Sequence, residues 1–326
     1  MDRMLKQYSF RKSLDSLRVA YSEGDAKQLH DAYVEARKTS RFLAMFFPLL
    51  ENIYPVRGFL DFASRLEDCM ATDGLHLGCK RFFDNLTVPW SIELPASVRE
   101  IAENKPVLFF GNHPSLFTPF LAAASVDRPD FRFFSSQYVC NLLPTLRAAA
   151  FPMEVPLTRS WVEWRRSGWQ RVLVYRLLSL VHDMPEPDLV RASNRTSIAA
   201  GADHIRQGGS AIICPGGGGK MRDRKWYSGI GSLVKQLLES QGENPVYLLP
   251  YREENCSNKR IYAHIQKGPL ARFKNAVVYR GPIRIRFGDP IPIDEIGTPD
   301  TTVHQWVELL KHTYEGLFQE PAMELA

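Results

Sequence analysis

The apolar run Val107-Leu108-Phe109-Phe110 leads straight into Gly111-Asn112-His113-Pro114. It has the length of a buried strand and ends in residues suited to a reactive loop. A second run, Ala211-Ile212-Ile213-Cys214, leads into Pro215 and then Gly216, Gly217, Gly218 and Gly219. The first delivers a histidine just before a new helix. The second delivers a loop rich in exposed backbone N–H groups. Helical patterns surround both runs: Ser97 and Glu100 fit a capping box, and residues 194–207 read as a helix feeding the second strand. Strands alternating with helices imply an α/β fold, a mixed central sheet flanked by helices.

The pattern changes along the chain. Residues 1–85 read as an N-terminal helical region, with breaks near Gly24, at Pro55 and at Gly74, and almost no strand signal. The α/β pattern occupies residues 86–326. Strands are expected at 86–94, 107–110, 131–134, 211–214, 246–249, 277–279 and 283–287, and helices at 229–240 and 300–318. Thr118-Pro119 reads as a helix start, with threonine as N-cap and proline at the first helical position. Residues 161–182 hold Trp161, Trp164 and Trp169 among Arg165, Arg166, Arg171 and Arg176, a mixture that suits a lipid–water interface as well as a packed helix with its arginines in water.

Composition excludes several classes. The 326 residues are 44% hydrophobic and 24% charged, so the chain is globular rather than disordered. A net charge of +5 is too weak to argue for nucleic acid, yet suits anionic head groups, phosphorylated substrates or an acidic carrier. The five cysteines form no Cys-x-x-Cys pair, so free thiols in a reducing compartment are expected, with neither zinc nor a disulfide framework. The N-terminus opens no signal-peptide pattern. No apolar run approaches the roughly 20 residues of a spanning helix. The expected location is therefore cytoplasmic, peripheral at a membrane surface. Gly219-Lys220 is not a phosphate-binding P-loop, because Cys214 stands at the first glycine position and Met221 follows the lysine.

Asn112-His113, with a helix starting five residues after the histidine, resembles the first block of the glycerolipid acyltransferases, which include glycerol-3-phosphate and lysophosphatidate acyltransferases. Cys214-Pro215-Gly216-Gly217-Gly218-Gly219 is similar to their second block, and closest to the Pro-Gly-Gly form of the diacylglycerol acyltransferase branch. Tyr247-Leu248-Leu249-Pro250 is similar to a later strand ending in proline, and Arg286-Phe287-Gly288-Asp289-Pro290-Ile291 to a closing strand. The blocks arrive in the family's order over roughly residues 85–295. Two departures stand out: Thr118 occupies the place of the family's aspartate, and Gly216 and Gly219 those of its glutamate and arginine.

The resemblance implies acyl transfer from a coenzyme A or acyl-carrier-protein thioester to a hydroxyl of a glycerolipid or related phosphorylated alcohol, with no cofactor, no metal and no acyl-enzyme. Such transfer needs a base and donors for a tetrahedral oxyanion. His113 would be the base, with Asn112 beside it. The hydroxyl of Thr118 would accept the Nδ1 proton and orient the ring, or another carboxylate, such as Asp127 or Asp130, would stand in. Ser115, Gly216, Gly217, Gly218, Gly219, Lys220 and Arg222 would contact substrate. The alternative implied by the missing aspartate is a non-catalytic lipid- or acyl-carrier-binding relative.

Overall fold

The computed structural model describes residues 2–39, 44, 45, 47, 56–86, 88–154, 185–216, 226–239, 244–258, 260, 261 and 281–318. The chain forms two compact units: residues 1–68, 135–148 and 152–194, and residues 69–134, 149–151 and 195–326. The expected strand at 277–279, the aromatic and basic stretch at 161–182, and Gly217, Gly218, Gly219, Lys220 and Arg222 lie outside the described residues.

The first unit is built on helices. Asp2–Glu23 and Ala26–Thr39 are joined at Gly24, whose φ of +73° is the left-handed geometry that glycine adopts cheaply. Asp25 caps the second helix, its Oδ1 accepting from Lys27 N at 2.7 Å. Glu67, near the middle of the helix Val56–Asp73, accepts from the N–H and hydroxyl of Thr145 at 2.9 and 2.7 Å. It thereby ties that helix to Pro144–Ala148.

The second unit is organised by an eight-stranded mixed sheet flanked by helices. Its strands are β1 Trp90–Glu93, β2 Val107–Gly111, β3 Phe131–Ser136, β4 Ala150–Met153, β5 Ser210–Ile213, β6 Tyr247–Glu254, β7 Ile283–Phe287 and β8 Ile291–Pro292. The order is β1-β7-β6-β2-β5-β3-β4, with β8 also on β6. β2 is central and wholly buried. It runs parallel to β5 on one side and β6 on the other, with Phe110 opposite both Ile213 and Pro250. An unbroken apolar run is what a strand covered on both faces requires. Phe109 extends that core to the rings of Phe131 and Phe287, at 5.2 and 6.2 Å.

Several local readings need correction. The strand expected over 86–94 is confined to Trp90–Glu93. Ser97 is not the cap: the helix is Ala96–Asn104, and Pro95 stands at its N-cap with no side-chain cap bond. Thr118 is not a cap either but the first residue of the helix Thr118–Ala123. The strand expected at 246–249 continues through Pro250 to Glu254. The proline is tolerated because its carbonyl, which accepts from Gly288 N at 2.9 Å, faces away from β2. Its missing N–H therefore falls where β6 changes partner from β8, at residues 247–248, to β7, at 251–254. Those extra residues carry Glu253 into the sheet.

Candidate active site

β2, β5 and β6 run the same way, so the segments that follow them leave from one edge of the sheet. Ligand sites in open α/β sheets form at that carboxyl edge. Here it gathers Asn112 and His113 after β2, Cys214, Pro215 and Gly216 after β5, and the end of β6. The two stretches singled out from the sequence are thus neighbours. Pro215 O accepts from Tyr227 N at 3.0 Å, and the neighbouring Trp226 packs its ring edge-on to Phe110.

Gly111 sets how closely β2 and β6 approach. A Cβ built there would lie 2.1 Å from the carbonyl oxygen of Tyr251, so no larger residue fits without parting the strands. Asn112 then extends the pairing with its side chain. Its Nδ2 donates to Glu253 O and its Oδ1 accepts from Glu253 N, both at 2.8 Å. The carboxamide imitates a backbone peptide and locks the loop to β6, a structural task that the sequence alone did not reveal.

His113 is partly exposed, but its Nδ1 is buried and, among the described residues, has no hydrogen-bond partner. Burial pushes the imidazole down to about 4, so the ring is neutral at physiological pH. The expected bond from His113 to Thr118 is absent. The Thr118 hydroxyl, fully buried, is committed to the carboxylate Oε2 of Glu253 and to Ser115 O at 2.9 Å. Ser115, also buried, directs its hydroxyl inward, where it accepts from Phe117 N at 3.2 Å and from the Cys256 thiol at 3.2 Å. Asn258 holds the same turn through Leu116 N at 2.8 Å. As placed, the Ser115 hydroxyl serves the turn.

Glu253 is the residue that the sequence reading missed. It is 2% exposed. Oε2 takes the Thr118 hydroxyl, and the Cys256 thiol and Ser115 hydroxyl also face the carboxylate. Oε1 is buried and, among the described residues, has no partner. Burial raises the carboxyl to about 7, against the smaller lowering effect of those three donors. The carboxylates proposed from sequence do not fill this role: Asp127 is exposed, and Asp130 pairs with Arg128 at 2.7 Å. The nearby Cys214 thiol lies 3.1 Å from the Tyr251 hydroxyl, and burial holds both groups in their neutral forms. Among the described residues no cluster of histidine, cysteine and carboxylate side chains could hold a metal ion, and no helix is long and apolar enough to cross a membrane.

No family model matches the chain, and no curated protein matches it. Among solved structures, the chain is similar to the crystal structure of the 1-acyl-sn-glycerophosphate (LPA) acyltransferase PlsC from Thermotoga maritima. The TM-score is 0.40 and the sequence identity 11%, over 80% of this chain and 81% of that one.

Proposed function

We propose that this protein is an O-acyltransferase that moves a fatty acyl group from a coenzyme A or acyl-carrier-protein thioester to a hydroxyl of a glycerolipid or related phosphorylated alcohol. The observation that carries this reading is the convergence of His113 and the Cys214-Pro215-Gly216 turn on one edge of adjacent parallel strands. A neutral imidazole supplies the lone pair that the chemistry requires. Nε2 of His113 takes the proton of the acceptor hydroxyl as its oxygen attacks the thioester carbonyl. The oxyanion collapses, the carbon–sulfur bond breaks, and the departing thiolate receives the proton from the imidazolium. The reaction consumes only thioester and alcohol. Backbone N–H groups of the glycine loop are the proposed oxyanion donors. Lys220 and Arg222 are the proposed contacts to phosphate, and a membrane's cytoplasmic surface the proposed place of work.

The test is thiol release from acyl-coenzyme A, offered with glycerol phosphate and a panel of lysolipids. Wild type is expected to turn over at least one acceptor, and His113→Ala to lose about 10²- to 10⁴-fold in kcat at an unchanged melting temperature. Undiminished turnover in that variant rules out the mechanism. One observation favours a second reading: among the described residues none holds the His113 ring through Nδ1. A non-catalytic lipid- or carrier-binding protein would show no turnover in wild type, and binding that survives His113→Ala.

A further inference from the structure

We infer that Glu253 is the positioning partner of His113, its carboxylate accepting the Nδ1 proton so that Nε2 keeps a free lone pair toward the acceptor. The inference rests on the acyltransferase reading of this site and supplies the carboxylate that the sequence lacks at residue 118.

Four observations converge on it. Gly111 stands opposite Tyr251 in the parallel register of β2 and β6. Main-chain pairing ends there, and both hydrogen bonds of the Asn112 carboxamide then clasp the main chain of Glu253, so His113 follows directly on the residue that holds Glu253. Among the described residues, two of the buried polar side-chain atoms without a partner belong to this pair: Nδ1 of His113 and Oε1 of Glu253. They are complementary, one a ring nitrogen able to carry a proton and the other an acceptor. Finally, the carboxylate is not free to turn elsewhere. Oε2 is held by Thr118, and Ser115 and Cys256 crowd the same group.

A buried carboxylate oxygen without a partner is costly, and such cost is commonly retained at sites of function. Catalytic hydrogen bonds often tighten only once substrate is bound. Closure of the Nδ1–Oε1 gap in the loaded enzyme would repair both atoms together. It also meets a chemical need: an imidazole held near 4 is neutral but weakly basic, and an adjacent carboxylate raises its proton affinity just as the imidazolium forms. Glu253 takes no proton in this scheme. The acceptor's proton goes to Nε2 and leaves with the thiol.

The experiment combines imidazole NMR with kinetics. In protein labelled with ¹⁵N-histidine, the His113 signals are identified by their loss in His113→Ala. Wild type saturated with a non-hydrolysable acyl-thioether analogue of acyl-coenzyme A is expected to show His113 protonated at Nδ1 and bare at Nε2. Glu253→Gln is expected to lose that tautomer preference and about 10²- to 10⁴-fold in kcat, with KM within about threefold. Glu253→Asp should recover at least about tenfold over the glutamine variant, because it restores the charge with shorter reach. An Nε2-protonated His113 in wild type overturns the pairing, and it needs no Glu253 variant to fold. So does a kcat for Glu253→Gln within about threefold of wild type. If wild type turns over no thioester, the acyltransferase reading fails, while the tautomer still decides whether Glu253 holds the ring.

Discussion

At residue 118 the surroundings of the buried threonine explain why a carboxylate would be unwelcome there. Thr118 is fully buried with its hydroxyl on the Glu253 carboxylate. A second carboxylate there would face the first in a space closed to water. Thr118→Asp is therefore expected to lower stability by about 3–5 kcal/mol at pH 8, the usual cost of an uncompensated buried charge. The loss should shrink at pH 5, where the two groups share a proton. Adding Glu253→Gln to Thr118→Asp should recover most of it, since that removes the like charge. Urea denaturation of wild type and both variants at both pH values measures this. The hydroxyl at 118 and the carboxylate at 253 form one arrangement, so changing either residue alone disturbs both.

At the scale of elements, the segments that aim β2 depend on one buried side chain. Arg128 is 5% exposed. It donates to Ala102 O at 3.2 Å and to Lys105 O, closing the C-terminal end of the helix Ala96–Asn104. It also donates to Gly208 O at 2.7 Å, in the turn before β5, and forms a two-pronged pair with Asp130 at 2.7 and 2.8 Å. One guanidinium thus fixes the approaches to both strands that end at the site. Arg128→Ala would leave three carbonyls and a carboxylate without their donor, at an expected cost of about 3–5 kcal/mol. Arg128→Lys should recover less than half of that, because an ammonium cannot reproduce the planar fork. Thermal melts of both variants give the comparison.

For the molecule as a whole, the site imprints opposite slopes on the dependence of stability on pH. His113 falls to about 4 from the 6.5 of a free imidazole, so the unfolded chain binds its proton first, and stability is lost as pH drops from 6.5 through 4. Glu253 rises to about 7 from 4.5, so the folded chain holds the proton, and that contribution is full below 4.5 and lost as pH rises through 7. Between about 4.5 and 6.5 the two slopes oppose each other, and this pair adds little net pH dependence. Glu253→Gln removes one of them. The variant is expected to gain stability from pH 4 to 6.5 more steeply than wild type, and to exceed wild type at pH 8, where the native carboxylate is buried and ionised. Melting temperatures from pH 4 to 8 test the prediction; parallel curves would show that Glu253 does not titrate between folded and unfolded states as its burial requires. A variant both more stable at pH 8 and less active would show stability given up for function.

The sequence by itself determined what is local. Apolar runs of four residues ending in Gly111-Asn112-His113 and Pro215-Gly216 are written in consecutive letters, as are the breaks at Gly24 and Gly74, and these gave the α/β class and both halves of the candidate site's edge. Tertiary structure decided what joins residues far apart in the chain. Glu253 sits in Tyr251-Arg252-Glu253-Glu254, a stretch that reads as a charged strand end meeting water. Only its place in β6, paired with Ile285 of β7 and clasped by Asn112, carries it inside, 135 residues along the chain from the Thr118 hydroxyl it binds and 141 from the Asn112 side chain. A hydrogen bond leaves no periodic trace in sequence, so a lone buried carboxylate is visible only once the strands that enclose it are paired.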